Sequence, residues 1–428
     1  MSQLVRRALH TSAIPQDLSR VTWCATGSEN PGAVGVSEQS VAAVWRAVER
    51  LYRTGVHPGI QLSIRHRGEQ ILHRAIGHAS GNGPDDPPDA PGTPLTTDTP
   101  FCYFSASKAV TAFLIHLLVE QGLIDLSEPI AYYCPEFAAR GKHAITLHQM
   151  LAHRGGIPLL PKHTPSEVLW DAEDMWRLLC AAQPVDVEGS RVAYHALTGG
   201  FVMQRVLEQV TGGSIEAFLD THLRQPLGMR WFTYGLPAEH LSQLPPSYAT
   251  GPRPRFPVSW ILRRALGGDI TTIERVVNNP RFQAAVIPSG NLCGTAEEMG
   301  RFYQMLLNGG HWQGTRVCSE ATVRRLIRPC GSWQIDRTTA LPVRFSAGMM
   351  LGGNPLGVWG PHSGAAFGHA GLINKLCWAD AARDISVTLL NSGLPIVGHH
   401  LPALVRFVYT VAREFPAVPD HRHPLAAD

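Results

Sequence analysis

Strand-like segments sit towards both ends of this 428-residue chain, and a long helical stretch lies between them. Gly59–His73 reads as a hairpin: Ile60, Leu62 and Ile64 alternate, Arg67-Gly68 supplies the turn, and Ile71-Leu72 returns. Far downstream, Gly371–Ala379 and Ile385–Asn391 read as a second hairpin about Asp380–Asp384. This order suggests one sheet assembled from both ends of the chain, with a helical subdomain inserted between its halves.

The helical candidates follow from apolar spacing. Glu38–Tyr52 carries Val41, Val44, Val48 and Leu51 on one face, with Ser37 as a candidate N-cap. Ala109–Glu120, Leu147–Ala152, Ser166–Ala182, Leu197–Thr211 and Ser214–Arg224 form the central block, interrupted by Pro-rich sequence at 243–257. Further helices are expected at 295–308, 319–328 and Ala403–Phe415, and a loop at 79–98. The expected organisation is an irregular lead-in over 1–36, an α/β sandwich from 37–104 and 286–420, and a mainly helical subdomain over 105–285. Together these form one catalytic domain.

Composition excludes several classes. With 44% hydrophobic and 17% charged residues, the chain fits an ordinary globular protein. A net charge of +3 is too small to argue for nucleic acid. No run is apolar enough to span a membrane, and no apolar h-region marks a secretory signal, so a cytoplasmic location is expected. The first dozen residues are basic and lack acids, which leaves a targeting segment open beside a loosely ordered end. The eight cysteines show no CxxC or short regular spacing, and His143, His148 and His153 do not share a helix face. No metal or other cofactor is therefore expected.

The chemistry concentrates at Ser105-Ala106-Ser107-Lys108, at the head of the apolar stretch Ala109–Glu120. Residues i and i+3 share a helix face, so the Ser105 hydroxyl can lie beside the Lys108 amine. A neutral lysine can take a serine proton; burial and the positive end of the helix dipole both favour the neutral form. Of 37 basic residues only four are lysine, and arginine cannot act as this base. On spacing alone, the pair also reads as a helix cap followed by a solvated lysine.

The surrounding run TPFCYFSASKAVTAFLIHLLVEQGLIDLSEPI resembles the active-site region of the serine β-lactamase-like superfamily. That superfamily includes class C β-lactamases, penicillin-binding proteins, D-aminopeptidases and family VIII carboxylesterases. Two further segments, ITLHQMLAHRGGIP and PSGNLCGTAEEMGRFYQMLLNGG, resemble it in the right order. The resemblance covers roughly residues 40–415 and implies the β-lactamase/transpeptidase-like α/β (α+β) fold, an antiparallel sheet flanked by helices. It further implies that Tyr194, in Tyr194-His195-Ala196, assists proton transfer near Ser105 and Lys108. His369-Ala370-Gly371 would stand where the family has a Lys-Thr-Gly or His-x-Gly strand. The amides of Leu372 and Ser105 would form the oxyanion hole, with His369 bonding the tyrosine or the substrate. Lys375 does not fit that motif and reads as surface charge.

Two departures shape the expected activity. Ala196 stands where many β-lactamases have Asn, and His369 where penicillin-recognising enzymes have a cation. Both fit a carboxylesterase acting on small uncharged esters, with family VIII the nearest type. Acyl transfer, β-lactam or D-amino-acid amide hydrolysis, and a non-catalytic scaffold of the same fold are the alternatives. The G-x-S-x-G elbow of α/β-hydrolases is absent from the chain.

Overall fold

A computed structural model describes residues 3–87, 90–161, 164–372, 374–417 and 425. Lys162 lies outside them. An eight-stranded antiparallel sheet organises the fold. In spatial order its strands are Thr22–Cys24, Glu69–Ser80, Gly59–His66, Ile385–Asn391, Lys375–Asp380, Ala366–Gly371 and Met350–Leu351, with Thr93–Pro94 added on Glu69–Ser80. The central pairing joins the two ends of the chain, from Ile385 opposite His66 to Asn391 opposite Ile60. The sheet is thus built from both ends.

Side-chain alternation gives the sheet two different faces. Ile60, Leu62, Ile64, Leu376, Trp378, Val387 and Leu389 point to one side. There they bury the apolar stripes of helices Glu38–Tyr52 and Leu401–Glu414. Ser37 caps the first of these helices by accepting from the Ser40 N–H. The opposite face carries Gln61, Ser63 and Ser386, and helix Ala296–Leu307 lies on it. The Ala296 N–H donates to Gln61 Oε1, and the Ser386 hydroxyl donates to the Gly300 carbonyl at 3.3 Å. Beyond that helix lies helix Ser107–Glu120, buried on nearly all sides within the larger core. A helix apolar all round belongs in an interior, as its sequence indicates.

Several boundaries differ from the sequence expectation. Ser166–Ala182 is not one helix: a 3₁₀ turn at Ser166–Trp170 gives way to helix Ala172–Ala181. The break comes where Asp171 takes an extended conformation and caps the new helix at Asp174 N–H. Ser214–Arg224 divides into helix Ile215–Leu219 and a π turn. The lead-in contributes an edge strand, Thr22–Cys24, and the 79–98 loop contributes Thr93–Pro94. The 243–257 interruption is followed by three helices, Val258–Leu266, Ile270–Val277 and Pro280–Ala284.

The strand expected over Gly371–Ala379 is two strands. His369-Ala370-Gly371 ends the first and Lys375 begins the second. Leu372 makes the reversal with φ +40°, and Asn374 pins it by donating to the Pro395 carbonyl and accepting from Asn391. A left-handed leucine leaves no sequence mark, because glycine is the residue that usually signals such a turn.

Phe407 is fully buried and meets Trp378 edge-on, with ring centroids 6.4 Å apart. Phe407→Ala should lower unfolding stability by about 3–5 kcal/mol in urea denaturation while leaving activity at the distant site unchanged.

Candidate active site

A second, three-stranded sheet carries the site. Its strands run in the order Phe101–Cys102, Leu292–Gly294, Thr233–Tyr234. The chain leaves Phe101–Cys102 through Tyr103, whose N–H donates to Leu292 O at 2.8 Å. It then turns at Phe104, held at φ +51°, into the 3₁₀ turn Phe104–Ala106 and helix Ser107–Glu120. A bulky residue at positive φ costs energy and persists only where its surroundings fix it. Here the fixing group is the other serine of the motif. Buried Ser107 donates to the Phe104 carbonyl and accepts the Leu292 N–H at 3.0 Å, tying the helix start to the neighbouring strand.

Ser105 is half-buried at this junction, at the positive end of the helix. Lys108 Nζ lies 3.2 Å from its Oγ and donates to the Ser289 carbonyl at 2.8 Å. Lys108 is 8% exposed with no carboxylate among its hydrogen-bond partners. Burial brings its amine down to about 7. At that value a large share of the amine is neutral near pH 7.

Tyr194 stands just before helix Thr198–Thr211. Lys108 Nζ lies 5.0 Å from its ring centroid, and its hydroxyl feels the Ser105 side chain. Burial holds the phenol well above its ordinary value, so it keeps its proton. Its backbone N–H donates to Asp336 Oδ2 at 2.6 Å. Asp336 is fully buried and also accepts from the N–H groups of Thr338 and Thr339.

His369 lies with its ring centroid 6.1 Å from that of Tyr194. Its Nδ1 is 2.8 Å from the Ala370 carbonyl, which only accepts, so Nδ1 carries the proton and Nε2 presents a lone pair. Burial, with the Lys108 charge second, takes His369 down to about 3. Gly371 then lets the strand end press on the Tyr103–Ser105 segment: a Cβ there would lie 2.0 Å from the Tyr103 carbonyl oxygen. Strand Ala366–Gly371 accordingly packs against the turn Phe104–Ala106, and Leu372 follows directly.

Some participants escaped the sequence reading. Ser289, whose carbonyl holds Lys108, belongs to a segment singled out only by resemblance. Asp336 has no local motif and reaches Tyr194 only through the fold. His153 packs 4.7 Å from Tyr194 between ring centroids, and its Nδ1 accepts the His195 N–H at 3.3 Å. Burial keeps both neutral, His195 at about 3 and His153 well below its ordinary value. Lys375, expected at the surface, is 2% exposed: its amine bonds the Asn391 carbonyl and sits over the rings of Phe101 and Phe104.

A serine and a buried lysine on one helical turn, beside a tyrosine and a strand edge, define the serine β-lactamase-like class. The chain belongs to the Beta-lactamase family, whose model matches residues 46–403. It is 28% identical over 371 residues to the Esterase/beta-lactamase LipL of Mycobacterium tuberculosis, covering 84% of this chain and 83% of that protein. It is 27% identical to Esterase EstB of Burkholderia gladioli over 222 residues, covering 47% of this chain and 54% of EstB. Among solved structures, a family VIII carboxylesterase superposes with a TM-score of 0.76 at 25% identity, covering 89% of this chain and 99% of that one. A penicillin-binding protein homologue from Caulobacter crescentus gives the same TM-score at 24% identity, covering 89% and 99%.

Gly371→Ala should force the strand end away from Tyr103. Ester turnover is expected to fall by about 10²-fold with the far-ultraviolet dichroism unchanged, since small misplacements at a reacting centre have effects of that size. Turnover within twofold of the parent would show that this contact does not position the site.

Proposed function

We propose that this protein is a serine carboxylesterase acting through an acyl-enzyme on Ser105. The observation that carries the reading is the Lys108 amine, brought to about 7 by burial and held 3.2 Å from the Ser105 hydroxyl. Between the two candidate bases, burial supports Lys108. Tyr194 keeps its proton far above neutrality, whereas Lys108 loses its own near pH 7.

In this reading the Lys108 lone pair accepts the Ser105 proton as Oγ attacks the ester carbonyl. The amides of Ser105 and Leu372 receive the developing oxyanion. Tyr194, beside Ser105 and Lys108, gives its proton to the departing alkoxide and regains one from the Lys108 ammonium. Water then attacks the acyl-enzyme by the reverse path. His369, neutral with a lone pair at Nε2, offers no cation for a substrate carboxylate. That favours uncharged acyl groups over the carboxylate-bearing β-lactams. The dual name of LipL keeps β-lactam hydrolysis as a second reading, which turnover of a chromogenic cephalosporin would test.

Ser105→Ala should reduce hydrolysis of p-nitrophenyl butyrate by at least ~10³-fold and abolish labelling by a fluorophosphonate probe. Undiminished turnover by a folded Ser105→Ala protein would overturn the assignment. The pH profile gives an independent check. The reactive form has neutral Lys108, so kcat/KM should climb about tenfold per pH unit below its pKa and level off above about 7. A profile that instead falls through pH 7 would assign the titrating group to an acid.

A further inference from the structure

Cys102 and Cys293 face each other directly across the antiparallel pair Phe101–Cys102 and Leu292–Gly294. All eight cysteines of the chain are free thiols. Tyr103 N–H donates to Leu292 O, so Tyr103 and Leu292 occupy the hydrogen-bonded position of the ladder. The cysteines therefore occupy the adjacent non-hydrogen-bonded position, where facing Cα atoms lie ~4.5 Å apart and side chains project to the same side. A disulfide accepts Cα separations of about 4.4–6.8 Å, so this position can close one without moving the backbone far.

The two thiols already interact. Cys102 Sγ donates to the Gly290 carbonyl at 3.4 Å and Cys293 Sγ to the Asn291 carbonyl at 3.3 Å, and each thiol acts on the other's ionisation. Their surroundings differ. Burial opposes ionisation of Cys102, but the neighbouring Cys293 thiol, the Phe104 N–H and the Lys375 charge outweigh it and hold the thiol below its ordinary value. Cys293 is held well above its own by the neighbouring Cys102 thiol and by burial. Cys102 is half-buried and Cys293 fully buried. The more accessible Cys102 is the member a peroxide can reach, and the buried Cys293 opposite it is the resolving member.

We propose that Cys102 and Cys293 form a peroxide-sensitive disulfide site that gates the nucleophile. The Cys102 thiolate attacks one oxygen of a hydroperoxide. The O–O bond breaks, Cys102 becomes a sulfenic acid, and the released alkoxide or hydroxide takes the thiol's proton. Cys293 sulfur then attacks the sulfenic sulfur. The S–S bond forms, the S–O bond breaks, and hydroxide leaves with the Cys293 proton as water. Two thiols are oxidised to one disulfide and one peroxide is reduced.

The position links this chemistry to the site. Cys102 lies on the strand that delivers Ser105, and Cys293 on the strand that follows Ser289, whose carbonyl holds Lys108. Oxidation removes the thiol hydrogens from the Gly290 and Asn291 carbonyls and sets a new spacing between the two strands. The geometry of Ser105 and Lys108 changes with it.

The test uses the reduced full chain, treated with hydrogen peroxide and then alkylated under denaturing conditions. Intact mass should show six alkyl groups in place of eight, with two hydrogens lost from the protein itself, and a non-reducing peptide map should join the segments containing Cys102 and Cys293. Hydrolysis of p-nitrophenyl butyrate should fall at least ~5-fold and return on adding dithiothreitol. Cys293→Ser should keep its basal turnover and gain one oxygen on Cys102 instead of forming the link. Two cysteines that stay fully alkylatable after peroxide, or a linked protein with unchanged turnover, would overturn the proposal. The activity arm rests on the esterase reading. The mass arm does not, so a chain inactive before oxidation counts against that reading while the peptide map still decides the disulfide.

Discussion

The pairing of Gly59–His66 with Ile385–Asn391 is the contact on which everything else rests. It makes the two chain ends neighbours at the centre of the sheet. Helix Ala296–Leu307 and then helix Ser107–Glu120 stack on the face that carries Gln61, Ser63 and Ser386. The side chains on that face are short or hydrogen-bonded, so the helix layer lies close. With that layer fixed, the head of the Ser107–Glu120 helix, the Leu292–Gly294 strand and the end of the Ala366–Gly371 strand have one place to meet. The site stands at that junction, and each of its parts comes from a different stretch of sequence.

Lys108 shows what such a junction costs. Its amine falls from 10.5 to about 7 on burial, and each unit is worth ~1.4 kcal/mol, so the charged form destabilises the fold by about 5 kcal/mol. The sign follows from proton counts. Between about pH 7 and 10.5 the unfolded chain binds a proton that the folded chain has released, so stability rises with pH across that window. Below pH 7 the whole penalty stands. The rest of the core, with its nearly all-apolar central helix, carries it. Stability surrendered at one buried amine is consistent with the role proposed for Lys108.

Much of this was legible in the sequence, for identifiable reasons. Alternation in Gly59–His73 and helical spacing in Glu38–Tyr52 are local signals, and the structure follows them. The Ser105/Lys108 pair is also local, because one helical turn sets its geometry. What escaped was set by contacts between distant segments. Asp336 meets the Tyr194 backbone across the fold. Lys375 looked like a surface cation because its burial depends on Phe101 and Phe104 closing over it. The reversal at Leu372 was invisible because a leucine held at positive φ carries no glycine signal. The break at Asp171 could have been found, since an aspartate three residues before Asp174 is an ordinary helix cap.

The neutral histidines have a consequence for what leaves the site. His153, His195 and His369 carry no charge at ordinary pH, so Lys108 is the group among them whose charge varies. With the amine neutral, these four residues carry no charge, and in the proposed reaction a carboxylate product finds no counter-ion among them. Ground-state binding should then depend little on salt, and the charged product is expelled rather than held. In acid the same set gains one buried ammonium that solvent screens poorly. In the proposed reaction that ammonium would hold the anionic product, which then competes with fresh substrate.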